Sequence, residues 1–344
     1  MKEMNFAIVG YGSIAKTHAL AAFDAAIRFN LPYKLKLTHI VTRNPKDIGI
    51  TGVENVMDLE QVLSNPDIDF IDICTPNESH LEILEKASKY NKPVYCEKPL
   101  ANNYEEALSM TKIVRENNLL NRVALMYRYS PAVNLLKREL EEGTIGDIID
   151  FKIKTYHSSY LNPNKKGVWR TKKESGGGAL LDLGVHLIDC VQYTLGKIDK
   201  IKADTRIYFK DRTEVDEIAN LNITLENGAS GSLEVSRIFA EMEHSDSFIV
   251  YGTKGSISVE FSNAYDLNIF LYEKNMKVVK SVNRGDKLLE YYPERRASLG
   301  YFQGCHTASL IGFANRVFGI NDNIGANFED ALSCQKIIQD AYGG

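Results

Sequence analysis

The sequence offers little on which a cross-linked or metal-stapled fold could be built. Its five cysteines, Cys74, Cys96, Cys190, Cys305 and Cys334, are odd in number, far apart and never at Cys-x-x-Cys spacing. That pattern argues against both a disulfide framework and a zinc site, so no metal is expected. The cysteines are expected instead to be small buried apolar residues in a reducing compartment. Also missing is any run of the roughly 18–20 apolar residues that a membrane span needs. The start, MKEMNFAIVGYG, passes from a strand-like stretch into a glycine turn and has no cleavable secretory pattern. A cytoplasmic protein with no membrane partner is the expectation. Excess positive charge is absent too: the formal net charge is -4, which implies no large cationic surface and no nucleic-acid partner. There is no internal repeat and no low-complexity tract.

What is present is a globular composition, 44% hydrophobic and 25% charged, over 344 residues, a length suited to two domains. The first third alternates strand-like runs (5–9, 36–42, 68–75, 93–99, 122–127) with helical patterns (14–29, 58–65, 79–91, 103–118). Such alternation predicts a doubly wound parallel sheet covered on both faces, with ligands outside the carboxyl ends of the strands. From about residue 145 the sequence becomes strand-rich, with hairpin signals at Glu226-Asn227-Gly228 and Gly252-Thr253-Lys254-Gly255. This predicts an α+β region with an antiparallel sheet. Helices are expected at 179–195, 304–318 and 328–342. The expected domains are 1–124, dinucleotide-binding, and 125–344, for substrate binding and oligomerisation.

Four motifs carry chemistry. Gly10-x-Gly12-x-x-Ala15 follows a strand and opens a helix at Ser13 and Ile14. Gly10 permits a tight turn, Gly12 lets the backbone approach a pyrophosphate, and free N–H groups at the helix start bind phosphate. At the end of the second strand stand Thr42 and Arg43, where NAD-binding chains carry an acid. A guanidinium there suits a 2′-phosphate, so NADP is favoured over NAD; the other reading is a solvated arginine, with NAD bound through Asn44 or the backbone. In YCEKPLA (95–101), Lys98 follows a strand and can donate to a substrate oxygen, with Glu97 placed to orient it. In SGGGALLDLGVHLIDC (175–190), a helix would put Asp182, His186, Asp189 and Tyr193 on one stripe. His186 can exchange a proton near neutrality and Asp182 can orient it. The alternative reading is a buried polar network joining helix to sheet. Gly184 within that helix implies a close neighbour, and Gly196 fits its C-terminal cap.

Taken in order, these motifs resemble the glucose–fructose oxidoreductase / inositol dehydrogenase / MocA family. The resemblance rests on Gly10-x-Gly12-x-x-Ala15, TPNESH (75–80), CEKPLA (96–101), YRYSP (127–131), EGTIGDI (142–148), VWR (168–170) and GGGALLDLGVHLID (176–189). It implies a Rossmann domain followed by a domain with a large, open, mostly antiparallel sheet, whose face forms dimer or tetramer interfaces. It also implies NAD(P) and a sugar or inositol-like substrate oxidised at a secondary alcohol. Lys98, Asp182 and His186 become the catalytic set. Gly10, Gly12, Ser13, Ile14, Thr42, Arg43, Thr75, Pro76, Asn77, His80, Glu97 and Lys98 fall on the cofactor side, with a cis bond before Pro99 among the implied features. Arg128, Tyr160, Trp169 and Arg170 join Lys98, Asp182 and His186 on the substrate side. Two other activities occur on this fold: glycosidases that retain NAD, and non-catalytic ligand-sensing regulators. Asp189 is expected to be a structural partner.

Overall fold

The computed structural model describes residues 2–166, 169–241 and 246–343. The chain forms two compact units: Met1–Tyr129 with Tyr291–Pro293 and Phe302–Leu332, and Ser130–Glu290 with Glu294–Tyr301 and Ser333–Gly344.

The first unit is built on β1 (Lys2–Val9), α1 (Ser13–Arg28), β2 (Tyr33–Val41), β3 (Glu54–Val56), α2 (Leu59–Ser64), β4 (Phe70–Ile73), α3 (His80–Lys89), β5 (Val94–Cys96), α4 (Tyr104–Glu116) and β6 (Asn121–Val123). Its six-stranded sheet has the order β3-β2-β1-β4-β5-β6 with every pairing parallel. Strand order reverses between β1 and β4, which is where such sheets open a ligand crevice. A sheet covered on both faces needs continuously apolar strands, and β4 is buried at all four positions. Alanines 15, 19, 22 and 25 give α1 a smooth buried face, which lets the helix lie close on the sheet. Phe6 and Phe70 stack at 4.8 Å in this core, joined by Tyr33 and by Leu310, Ile311 and Phe313 from the later chain.

The second unit contains α5 (Pro131–Glu141), β7 (Ile148–Tyr156), a π-helical turn (Leu180–Gly184), α6 (Val185–Leu195), β8 (Ile198–Arg206), β9 (Ile218–Leu225), β10 (Ser230–Ser236), β11 (Ser247–Gly252), β12 (Gly255–Glu260), β13 (Asp266–Leu271) and β14 (Met276–Ser281). These strands form one sheet of eight, ordered β14-β13-β12-β11-β7-β10-β9-β8. All pairs are antiparallel except β10 with β7. Both hairpin signals form: Gly228 turns at φ 87° between β9 and β10, and Gly252 faces Gly255 across the turn between β11 and β12. Tyr193 of α6 donates to Asn134 Oδ1 of α5 at 2.7 Å, fastening the two helices together. Two further helices, α7 (Tyr301–Phe318) and α8 (Phe328–Gly343), complete the chain. No helix among the described residues is long and apolar enough to cross a membrane.

The single helix expected over 179–195 is corrected. Its first turn is widened into the π-helical segment, and regular α-helix begins only at Val185. Asp216 supplies the reason. Its carboxylate accepts the Leu180 N–H at 2.8 Å, and its backbone carbonyl accepts the Ala179 N–H at 2.8 Å. The entering chain is thereby held from outside the helix. A Cβ on Gly184 would lie 2.6 Å from Leu180 Cδ1, so the close neighbour expected at this glycine is the preceding turn itself. Gly196, at φ 106°, ends the helix as expected.

Candidate functional site

In the first unit a groove of about 890 Å³ opens at the carboxyl ends of β1, β2 and β4. Val9, Gly10 and Tyr11, then Val41, Thr42 and Arg43, then Thr75 and Pro76 line it. Gly10 takes φ 95°, and a Cβ there would sit 2.9 Å from the Cys74 carbonyl oxygen, so the turn demands glycine. Gly12 has nothing within 4 Å of its missing Cβ, leaving its backbone open to a large anion. Ser13 and Ile14 follow as the first turn of α1, whose N-terminus has no side-chain cap and no acid. By contrast α4 and α5 are capped by Asn103 and Ser130. The free N–H groups and positive end of α1 suit a pyrophosphate. Thr75 Oγ1 is buried without a hydrogen-bond partner beside this groove, the condition expected of a group that meets a ligand. These features fit a dinucleotide.

Thr42 is turned to its own loop, donating to Asn55 Oδ1 at 2.8 Å, while Asn55 Nδ2 donates to the Lys46 carbonyl at 2.8 Å. Arg43 lines the groove and is exposed. Asn77 is buried in the short helical turn that precedes α3. His80 faces two backbone oxygens, Leu100 O from Nδ1 and Thr75 O from Nε2, each at 3.0 Å. Burial pushes its pKa down. The ring sits between the loop after β4 and the loop after β5, and its one N–H can donate to only one of the two oxygens. Glu97 and Lys98 lie on that second loop, where the Lys98 backbone N–H donates to Glu97 Oε2 at 3.0 Å and the Lys98–Pro99 bond is cis. Arg128 is buried in the first unit, with its Nη2 3.2 Å from Asp330 Oδ1.

In the second unit, Gly176, Gly177 and Gly178 form a tight entry to the π turn. A Cβ on Gly177 would come 2.2 Å from the Arg170 carbonyl oxygen, and one on Gly178 would come 2.3 Å from Asp216 Oδ1. Asp182 and His186 are both buried on this segment. The Asp182 carboxylate pairs with Arg237 and lies 3.3 Å from Arg170 Nε. The Tyr160 ring stacks under Arg237, whose Cζ is 5.4 Å from the ring centroid. Burial, reinforced by the neighbouring Arg170 charge, pushes the Arg237 pKa down to about 10. The structure thus brings together Tyr160, Arg170 and Asp182 and adds Arg237, which the sequence did not single out. Its only local signal is a charge ending the apolar strand SLEVS. Trp169 falls in a short helical turn, and its side chain lies outside the described residues, as does Val168 of the same motif. Asp189 is fully enclosed on α6.

All five cysteines are buried and unbridged. Cys74 lies 3.3 Å from His18 Nδ1, and burial pushes its thiol well above the ordinary range, so it is no nucleophile.

Comparison with known proteins agrees with this geometry. Residues 4–125 match the family model described as "Oxidoreductase family, NAD-binding Rossmann fold", and 133–258 match "GFO/IDH/MocA C-terminal domain". The chain is 30% identical over 298 residues to levoglucosan dehydrogenase of Pseudarthrobacter phenanthrenivorans, covering 78% of this chain and 76% of that one. It is 30% identical over 204 residues to scyllo-inositol 2-dehydrogenase (NAD(+)) of Bacillus subtilis, covering 58% and 57%. Among solved structures, levoglucosan dehydrogenase in complex with NADH and levoglucosan superposes with a TM-score of 0.89 at 27% identity, covering 99% of this chain and 98% of that one.

Proposed function

The chain belongs to the GFO/IDH/MocA family of NAD-binding oxidoreductases, and from that premise we propose that it oxidises a secondary alcohol of a sugar, an inositol-like polyol or a related derivative. The nucleotide, when bound, supplies the nicotinamide C4 that accepts hydride. Gly10, Gly12 and the start of α1 hold its pyrophosphate, and Thr75 and Asn77 hold its nicotinamide half. Arg43 favours a 2′-phosphate, so NADP is the preferred form.

Lys98 donates to the reacting oxygen and stabilises the charge that grows there as hydride leaves. His186 takes the hydroxyl proton. Asp182, paired with Arg237 and near Arg170, sits four residues before His186 and orients it. Tyr160, Trp169, Arg170 and Arg128 contribute to substrate recognition. The protein works as a cytoplasmic homodimer or homotetramer that associates through the eight-stranded sheet.

The observation that carries this reading is the uncapped helix start beside Gly12, with the orphaned Thr75 hydroxyl on the same groove. The test is a screen of sugars and inositols with NAD and with NADP, followed at the reduced-nicotinamide absorbance. Substrate-dependent accumulation of reduced nucleotide supports the proposal. Substrate cleavage without accumulation would identify glycosidase chemistry, and binding without turnover a sensor.

A further inference from the structure

We infer that His18 is a positioning residue for the reaction: a buried imidazolium that holds the Glu97 carboxylate in place beside Lys98. The inference rests on the reading of Lys98 as the group that polarises the reacting oxygen.

His18 lies within the alanine face of α1 and is 1% exposed. Nothing in a helix packed on an apolar sheet calls for an imidazole there. Its Nδ1 is 2.8 Å from Asp72 Oδ2, on β4, with Cys74 Sγ 3.3 Å away. On the other side its Nε2 is 3.1 Å from His306 Nδ1, on α7, and 3.0 Å from Glu97 Oε1. Tyr95, on β5, flanks the ring at 5.5 Å between centroids and hydrogen-bonds with Ser309. Lys98 is a further charge acting on Glu97 and His306.

A carboxylate oxygen lies within 3.0 Å of each ring nitrogen, Asp72 at Nδ1 and Glu97 at Nε2. A neutral imidazole has one N–H and cannot serve acceptors at both nitrogens; an imidazolium donates from both. Burial opposes that charge most strongly, but Asp72 and Cys74 together outweigh it and raise the His18 pKa well above its ordinary value. His306 is the converse. Burial and the adjacent His18 charge push it down to about 3, so it is neutral, with its Nδ1 facing His18 Nε2. Burial alone would raise Glu97, yet the His18 cation, with smaller help from His306 and then Lys98, brings it down to about 2.

Consequences follow for the reacting loop. The other Glu97 oxygen accepts the Lys98 backbone N–H, so the position and charge of this carboxylate set where the Lys98 side chain starts. Without the cation, a carboxylate in so dry a place takes up a proton. His18 joins α1, which carries the pyrophosphate-binding turn at its start, to the loop that carries Lys98.

His18→Gln keeps the size and one donor but cannot carry charge. It is expected to raise the Glu97 titration from about 2 to above the ordinary 4.5. Carbon-13 NMR of Glu-labelled protein reads this, with Glu97→Gln giving the assignment. The kcat–pH profile should gain an acid limb at roughly pH 6–9, the range of buried carboxyls lacking a counter-ion. The limb should vanish in the His18→Gln, Glu97→Gln double variant. A merely structural role would lower stability without creating the limb. If His18→Gln does not fold, nitrogen-15 NMR of the native protein decides: both His18 ring nitrogens should remain protonated at about pH 8, well above an ordinary imidazole pKa. A neutral ring, an unmoved Glu97 titration, or stoichiometric zinc in the purified protein would each overturn the inference. Full activity in Lys98→Ala would instead overturn the role of Lys98 and leave both NMR results standing, so the two readings fail separately.

Discussion

Arg237 and Asp182 form an ion pair in which both side chains are at least nine-tenths enclosed, with 10% and 7% exposure. The guanidinium also covers the Tyr160 ring, while Arg170 meets the same carboxylate from the more exposed side. The pair anchors the segment that presents His186, so its removal should affect both folding and turnover. Arg237→Met is expected to cost about 3 kcal/mol, near the low end for stranding one partner of a buried pair, because Arg170 remains. Urea unfolding measures this. Combining Arg237→Met with Asp182→Asn should recover much of the loss, and a strictly additive double variant would contradict the pairing.

Lys98→Ala and His186→Ala should each reduce turnover at least about a hundredfold, in line with general acid–base and oxyanion contributions. Nucleotide affinity, read by fluorescence quenching, should change little in His186→Ala. Near-native rates in either variant would remove that residue from the mechanism.

Arg43→Ala should weaken NADP by about tenfold or more, the scale of a lost charge-assisted hydrogen bond, and NAD much less. Paired titrations with the two nucleotides decide it, and equal losses would refute a phosphate-binding role.

Gly10 and Gly12 should respond oppositely to a side chain. Gly10→Ala places a Cβ against the Cys74 carbonyl at φ 95°, and a cost of about 1–3 kcal/mol is expected in thermal unfolding. Gly12→Val meets empty space in an ordinary backbone conformation, φ -80°. Its stability should stay within about 0.5 kcal/mol of native, while nucleotide binding falls sharply as the side chain blocks the pyrophosphate. A stable Gly12→Val protein that still bound NADH normally would place the cofactor elsewhere.

Acid should destabilise the first unit in two stages. His306 is held down to about 3, so between there and its ordinary 6.5 the unfolded chain binds the extra proton and stability falls as pH falls. Glu97, held down to about 2 against an ordinary 4.5, stabilises above 4.5, and its contribution disappears as pH drops through that lower window. His18 has the opposite sign: its contribution is complete below 6.5 and is lost only as pH rises through its raised value. His306→Gln should therefore flatten the decline between 6.5 and 4.5, a change of at most about 1.4 kcal/mol per pH unit. An unchanged slope in that variant would show that His306 is not held neutral.

Much of this organisation is legible in the sequence, for local reasons. Alternating apolar runs and a glycine turn between β1 and α1 are signals carried within a few residues, and the first unit follows them. The hairpins at Asn227-Gly228 and Thr253-Lys254 are local in the same way. The π turn is not, because the apolar pattern of ALLDLGVHLID suits a regular helix equally well and the deciding group is Asp216, in a separate stretch. Arg237 lies 55 positions beyond Asp182, and His306 lies 288 beyond His18. Periodicity cannot report on such pairs. A histidine set among Ala15, Ala19 and Ala22 is the one trace that the His18 network leaves in its own helix.

The loop after β2 closes on itself, with Thr42 holding Asn55 and Asn55 holding the Lys46 carbonyl. The far end of the segment reaches back to β2, where Glu54 Oε2 lies 3.8 Å from His39 Nε2, whereas His80 sits between the loops after β4 and β5. In the proposed function, nucleotide preference and hydride chemistry thus fall on different loops. With Arg43 reading the 2′-phosphate as proposed, grafting a relative's residues 42–55 should exchange one coenzyme for the other while the loop that carries Lys98 is left as it is.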